Sequence, residues 1–310
     1  LKNFRTFPLA VGLVAALRCA AFAADSDAAA ALNKSGTEKL AKGDLQGAAV
    51  DFSAAIKARP SFVYAYISRG VIRNRVGQFN RAIRDFDVAI QLQPSVTAYM
   101  DRAQARLDKG DADGAVVDYI KSLDYTTDFP RSELAAGVGK IFESRATAKQ
   151  VKGDFDGAAD DYSRAIEEYA GKNDESARIL QAVVLRRLNR GNPMLGLEKS
   201  LDAWKDEWPK AVASFLTGTL PQDAFLAKAG AGDAAAAPGR RCAAQYYIGM
   251  NRLSRTETAG ARAAFKAAVD TKARSVPEYD LARAEFKRLP APKKPAPAKK
   301  SAPAKKRARS

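Results

Sequence analysis

Four aspartates and two glycines fall within the fourteen residues from Gly153 to Ile166, GDFDGAADDYSRAI. Carboxylates this dense beside glycine are the raw material of a calcium loop, which takes oxygen ligands at alternate positions. An EF-hand needs D-x-[DN]-x-[DN]-G and a glutamate at its twelfth place. Here Gly157 follows Asp154 too early, and the twelfth residue counted from Asp154 is Ala165. A second set of carboxylates is dispersed: Asp51, Asp85, Asp118 and Asp161 each stand just before an aromatic residue. Recurrence at one slot points to a solvated, salt-bridged helix face rather than to a pair of catalytic acids.

Other chemistry is narrowed by what the 310 residues lack. There is no histidine, which removes the usual zinc and iron ligand sets, the Ser-His and Cys-His pairs and the commonest general base. Cys19 and Cys242 are the two cysteines, too few for a disulfide framework. Cys242 lies beside Ala243 and Ala244 on an apolar helix face, which predicts a buried thiol. No catalytic residue, metal ligand or cofactor is assigned, and no small-molecule substrate is expected.

The net charge is +16, unevenly placed. Residues 287–310 hold ten basic residues and no acid, and residues 1–23 hold three and no acid, which leaves +3 for residues 24–286. The folded body is nearly balanced, so the charge speaks of the ends.

At the N-terminus, Lys2 and Arg5 precede the apolar run Phe7 to Leu17, and Ala21-Phe22-Ala23 offers small residues for cleavage before Asp25. This is the layout of a secretory signal peptide over 1–23, which predicts export to a periplasmic location, associated with the envelope. Arg18 just before Cys19 does not fit a lipid-modified cysteine. Residues 290–310, PAPKKPAPAKKSAPAKKRARS, have no large apolar residue and predict a disordered tail with extended, PPII-like preferences. Lys293, Lys294, Lys299, Lys300, Lys305, Lys306, Arg307 and Arg309 form its anion-binding set. Given export, its partners would be an anionic envelope polymer or lipid headgroups.

The elements that position the aspartates emerge from self-similarity. Aligned on Gly43, Gly77, Gly110 and Gly153, the chain reads GDLQGAAVDFSAAI, GQFNRAIRDFDVAI, GDADGAVVDYIKSL and GDFDGAADDYSRAI. Ala48, Ala82, Ala115 and Ala158 come five places after each glycine, and Phe52, Phe86, Tyr119 and Tyr162 four places further. That spacing puts both on one helix face. Gly36, Gly70, Ala103 and Ala146 stand seven places before the glycines, small enough for a second helix to approach. Asn80, Asp113 and Asp156 are the residue types that cap the second helix. The calcium-like stretch thus becomes a joint between two helices.

A 34-residue spacing from Gly43 to Gly77, the small residue, the turn glycine, the Ala-x-x-x-aromatic pair and the closing Pro60 and Pro94 resemble the tetratricopeptide repeat (TPR). The resemblance implies an all-α solenoid of helix-turn-helix units in a right-handed superhelix. Repeats 1–4 would span 24–169. A degenerate unit and linker would span 170–239, with Gly191 in the turn and Trp204 and Trp208 packing one helical turn apart. A terminal unit and a capping helix would span 240–289. The signal, the interrupted array and the final helix together look similar to bacterial periplasmic and outer-membrane TPR adaptor proteins.

In that family the ligand lies along the concave surface of the first helices. The resemblance carries this role onto Asn33, Lys34, Tyr64, Ser68, Asn74, Arg75, Asp101 and Gln104, with Glu143, Ser144 and Thr147 in the fourth unit. Amides, hydroxyls and both signs of charge suit another protein or an extended peptide. The expectation is therefore a non-catalytic protein–protein interaction scaffold. The alternative is an intracellular, nucleic-acid-associated TPR protein that uses the basic tail.

Overall fold

The computed structural model describes residues 27–130 and 132–291. The signal-peptide reading at 1–23, Cys19, and the tail residues Lys293 to Arg309 lie outside the described residues.

Every long element among the described residues is a helix, and the helices alternate as antiparallel pairs. The first pair is α1 (27–41) and α2 (Leu45–Ala58). The second is α3 (Val63–Arg75) with α4 (Phe79–Leu92), and the third α5 (Val96–Lys109) with α6 (Ala112–Leu123). A 3-10 turn at Thr126–Asp128 and the long α7 (Leu134–Lys152) absorb the extra residues before α8 (Phe155–Tyr169). There follow α9 (Glu175–Arg187) and α10 (Pro193–Ser200), then α11 (Glu207–Thr217) and α12 (Gln222–Gly230). The last pair is α13 (Ala237–Ser254) and α14 (Thr258–Asp270), closed by α15 (Pro277–Arg288).

The repeat residues do what their sizes demand. A Cβ on Gly36 would come within 2.9 Å of the Phe52 ring, and one on Gly70 within 2.7 Å of Phe86. Two helices meet there with no room for a methyl group. Ala48, Ala82, Ala115 and Ala158 are wholly buried, as are Phe52 and Tyr162. Each buried aromatic contributes about 2–3 kcal/mol relative to exposure. Gly110 and Gly153 end α5 and α7 at φ 102° and 101°, a left-handed conformation that favours glycine.

The helix caps sit two residues earlier than Asn80, Asp113 and Asp156. Asp44, Asp111 and Asp154 accept from the amides of Gly47, Gly114 and Gly157 at 2.8, 2.9 and 2.9 Å. Gln78 holds this place in the second unit without a side-chain cap. Asp113 and Asp156 lie in the first turn and pair with Lys152 and Arg190 at the surface. The turn is shorter than expected, so the next helix begins immediately after the residue following glycine.

The recurring aspartates are salt-bridged but not solvated. Asp51, Asp85, Asp118 and Asp161 are only 8%, 3%, 1% and 2% exposed. Each meets two partners from the preceding helix, sixteen and twelve residues upstream. Arg69 grips Asp85 through two nitrogens, at 3.1 and 2.8 Å, and Arg73 joins at 2.6 Å. Arg102 and Arg106 hold Asp118, and Arg145 and Lys149 hold Asp161. In the first unit Ser35 and Lys39 take these places, and together, Lys39 foremost, they hold the Asp51 carboxyl below its usual range. Burial of a carboxylate is tolerable because its lone pairs are filled by charged donors. The ladder stops in the last unit, where Ala264 precedes Phe265.

One more expectation shifts, at the two tryptophans. Trp204 lies in the loop before α11 and Trp208 in its first turn, so they do not share a helical turn. Both pack inward: Trp204 is buried, and Trp208 stacks on Phe225 with centroids 5.5 Å apart. Pro209 falls in the first turn of α11, where its missing N–H costs nothing.

The cap helix α15 packs on α14 and α13, and also crosses to α7. Gln150 of α7 donates to the Tyr246 hydroxyl of α13 at 2.8 Å and accepts from Tyr162 at 3.2 Å. A single buried amide thus ties the fourth unit to the last.

Candidate functional site

Each first helix of a pair presents one face toward the inside of the curve. Where α3, α5 and α7 stand side by side, that face lines an open groove of about 1230 Å³. Asn74 and Arg75 come from the end of α3, Asp101 and Gln104 from α5, and Glu143, Ser144 and Thr147 from α7. Asn33, Lys34, Tyr64 and Ser68 do not line it. Tyr64 is 65% exposed and stands edge-on to Phe62, farther along the solenoid.

The opposite wall comes from the other end of the chain. Lys272, Arg274 and Ser275, between α14 and α15, and Asp280 of α15 face the same cavity. Arg283 donates to the backbone carbonyls of Asp108 and Leu107 at 2.6 and 2.7 Å, and Arg288 to that of Gln150 at 2.9 Å. These carbonyls sit at the C-terminal ends of α5 and α7, the negative ends of their dipoles. Arg274 lies over the rings of Phe79 and Tyr279.

On the floor, Asn74 Nδ2 donates to Asp108 at 2.5 Å and Gln104 Nε2 donates to the other oxygen at 3.1 Å. Gln104 also reaches Asp280, at 3.5 Å, and accepts from Tyr119 at 3.4 Å. Because the Asn74 amide nitrogen is committed to Asp108, its carbonyl oxygen faces away; it is buried and accepts no hydrogen bond from the described residues. Glu143 is satisfied by Lys140 at 3.0 Å and Tyr169 at 2.9 Å. Asp101 differs. Among the described residues it has neither hydrogen-bond nor ion-pair partner, and burial raises its pKa to about 7. Burial, with the carboxylate of Asp108 second, also raises Asp280. The Tyr119 phenol is pushed up by burial, and Asp280, Asp108 and Asp101 add to it.

Asp108, Lys140, Lys272, Arg274 and Asp280 were not anticipated. Asp108 had a signal, since it stands one helical turn after Gln104 on the same face. The residues beyond 270 had none, because their place depends on the curvature of the whole array.

Among the described residues, no group of three or more His, Cys, Asp or Glu is placed to hold a metal ion. Asp154, the first carboxylate of the calcium-like stretch, is occupied by the Gly157 amide. Nor is any helix among them long and apolar enough to cross a membrane.

No family model matches the chain. Among solved structures, a tetratricopeptide repeat protein from Parabacteroides merdae is similar over 84% of this chain and 99% of its own, with TM-score 0.53 and 17% identity. The fold is a TPR solenoid. Two further structures align: the MamA protein (57% of this chain, 91% of that one, TM-score 0.48, 18% identity) and PilW, a type IV pilus biogenesis factor (81% and 96%, TM-score 0.48, 11% identity). At these identities the likeness concerns the fold alone. Within the TPR array, the joint at Gly153 is the turn of the fourth unit, and the groove is the concave side of units two to four, closed by the cap helix.

Proposed function

We propose that this TPR protein is a non-catalytic scaffold that holds an extended segment of another protein in the concave groove. The carrying observation is the open groove of about 1230 Å³ lined by three first helices, with the Asp101 carboxyl in it and no ion pair to it among the described residues. An extended peptide supplies donors all along its backbone, and a groove that leaves acceptors free is suited to one. Asn74, Arg75, Asp101 and Gln104 are the residues assigned to that contact. The basic residues Lys293 to Arg309 add electrostatic attachment to an anionic envelope polymer or lipid headgroups, and the residue pattern over 1–23 supports export to the periplasm.

Site-specific photo-crosslinking tests the groove. A photoreactive amino acid in place of Arg75 should trap a defined protein in cells, while the same group in place of Lys121, exposed on α6, should not. Equal adducts at both positions, or none at Arg75, would remove the groove from the function.

A further inference from the structure

Gln104 on the groove floor joins two carboxylates that belong to different helices. Its Nε2 donates to Asp108 of α5 at 3.1 Å and to Asp280 of α15 at 3.5 Å. The two acids are 4% and 1% exposed. When protonated, the Asp280 carboxyl can donate to Asp108. One guanidinium stands beside the pair. Arg283 lies 2.8 Å from Asp280 Oδ1, but it donates to the carbonyls of Asp108 and Leu107. Asp280 Oδ1 is left buried, with no hydrogen bond from the described residues. The Asp108 carboxylate is held by the neutral amides of Asn74 and Gln104. Two buried carboxylates against one cation leave one negative charge in excess, and a proton removes it. Burial, with Asp108 second, holds the Asp280 carboxyl up at about 7.

The surroundings add little counter-charge. Tyr119 of α6 bonds Gln104 and is kept neutral by burial. Cys242 of α13 is a thiol pushed up to about 12 by burial. On α7, Lys140 pairs with Glu143. On α14, Arg262 is spent on the carbonyls of Phe286 and Leu289, at the far end of α15. Asp101 of α5 lines the same cavity as a further acid, and Arg75, Lys272 and Arg274 line it as cations.

We propose that Asp108 and Asp280 form a proton-operated latch between α5 and α15. With one proton between them, the cap helix is fastened and closes the concave groove. When that proton leaves, the facing charges loosen α15, and the wall that carries Asp280 opens. Docked, Asp280 binds its proton more tightly than at its ordinary value of 3.8. Docking is therefore firm at pH 5, weakens as pH rises toward 7, and changes little above that. The helix is suited to such a role. It has twelve residues, too few to be stable without its contacts, so a weakened contact shows as local opening. That the opening admits a partner rests on the groove being the binding surface; the latch itself does not.

Amide exchange of the full chain at pH 5 and pH 8, corrected for the intrinsic rate, tests the latch. Opening of α15 should be about tenfold more frequent at pH 8, with α2 unchanged. Asp280→Asn and Asp108→Asn, which keep the shape and remove one ionisation each, should each abolish most of that rise. Where one of them fails to fold, the other carries the same test. Asp101→Asn should leave most of the rise in place, as should Glu278→Gln, which removes the other buried acid of α15. Equal opening at the two pH values overturns the proposal. So does a rise that survives in Asp108→Asn, since Asp280 would then titrate as a lone buried acid, or a rise that Glu278→Gln removes. If α15 behaves as expected while Arg75 photo-crosslinking traps no partner, the latch stands and the groove reading falls.

Discussion

Arg283 of the cap helix donates to the backbone carbonyl of Asp108, 175 residues earlier in the chain, at 2.6 Å. The contact closes the concave side: a helix that ends the array also holds the C-terminal end of α5, and through Arg288 that of α7. Hydrogen bonds from a charged donor contribute about 1.5–3 kcal/mol. Arg283→Met keeps the apolar stem and removes the donors. It should lower unfolding free energy by about 2 kcal/mol. Amide exchange should quicken at the ends of α5 and α15 while α2 is unaffected, which hydrogen-exchange mass spectrometry would read.

The stretch GDFDGAADDYSRAI offers a graded series within one turn and helix. Asp161 is buried and held by Arg145 and Lys149, so Asp161→Ala strands two cations and should cost about 3–5 kcal/mol. Asp154→Ala removes one cap, worth about 1 kcal/mol. Asp156→Ala breaks an exposed pair with Arg190, worth less than about 0.5 kcal/mol. Urea unfolding of the three variants should rank them in that order. A calcium site would instead make all three sensitive to added calcium.

What could be read in advance follows from how local each feature is. The repeat lives in spacings of four, seven and thirty-four residues, so the helix pairs and the close approach of Gly70 to Phe86 were visible in the letters alone. The caps were misplaced because Asp154 and Asp156 are the same residue type, and only the length of the turn tells them apart. The burial of Asp85 and Asp118 was missed because their partners lie on another helix; the basic residues sixteen and twelve places upstream were the overlooked sign. The groove's inner wall came from one face of three helices, but Asp280 and Arg274 were out of reach, since repeat curvature, summed over many units, decides what meets α5.

Two helical glycines should respond to alanine with opposite signs. At Gly70 the new methyl group meets the Phe86 ring at 2.7 Å, and overpacking costs about 1–3 kcal/mol. At Gly196 in α10 nothing lies within 4 Å, so helix propensity alone acts and should stabilise by up to about 1 kcal/mol. Thermal melts of Gly70→Ala and Gly196→Ala check both. An equal loss at the two sites would mean that the Phe86 contact does not set the helix spacing.

The last unit carries a turn residue that its position does not suit. Thr256 stands where the first four units have glycine, and its φ is 62°. A β-branched residue in the left-handed region is strained by about 1–2 kcal/mol. Glycine relieves that strain at some entropic cost in the unfolded chain. Thr256→Gly should therefore stabilise by about 0.5–1 kcal/mol, seen as a rise in melting temperature with an unchanged urea m-value.

Asp101 makes the groove's character measurable as a pH dependence. Its carboxyl is raised from about 3.8 to about 7 by burial, so the folded state binds its proton more tightly than the unfolded chain does. Between those values the folded chain carries the proton and the unfolded chain does not, and stability falls as pH rises. Below about pH 4 both states are protonated and the penalty is absent; above about pH 7 it is complete. Asp101→Asn keeps the shape and removes the ionisation. It should leave stability at pH 4 nearly unchanged and raise it at pH 8 by about 1–3 kcal/mol, allowing for solvent at the groove mouth. The profile of the variant keeps some slope, because burial also raises Glu278 and Asp280. Urea titrations at the two pH values decide the matter. A variant no more stable than the parent at pH 8 would mean that Asp101 already has a counter-charge in solution.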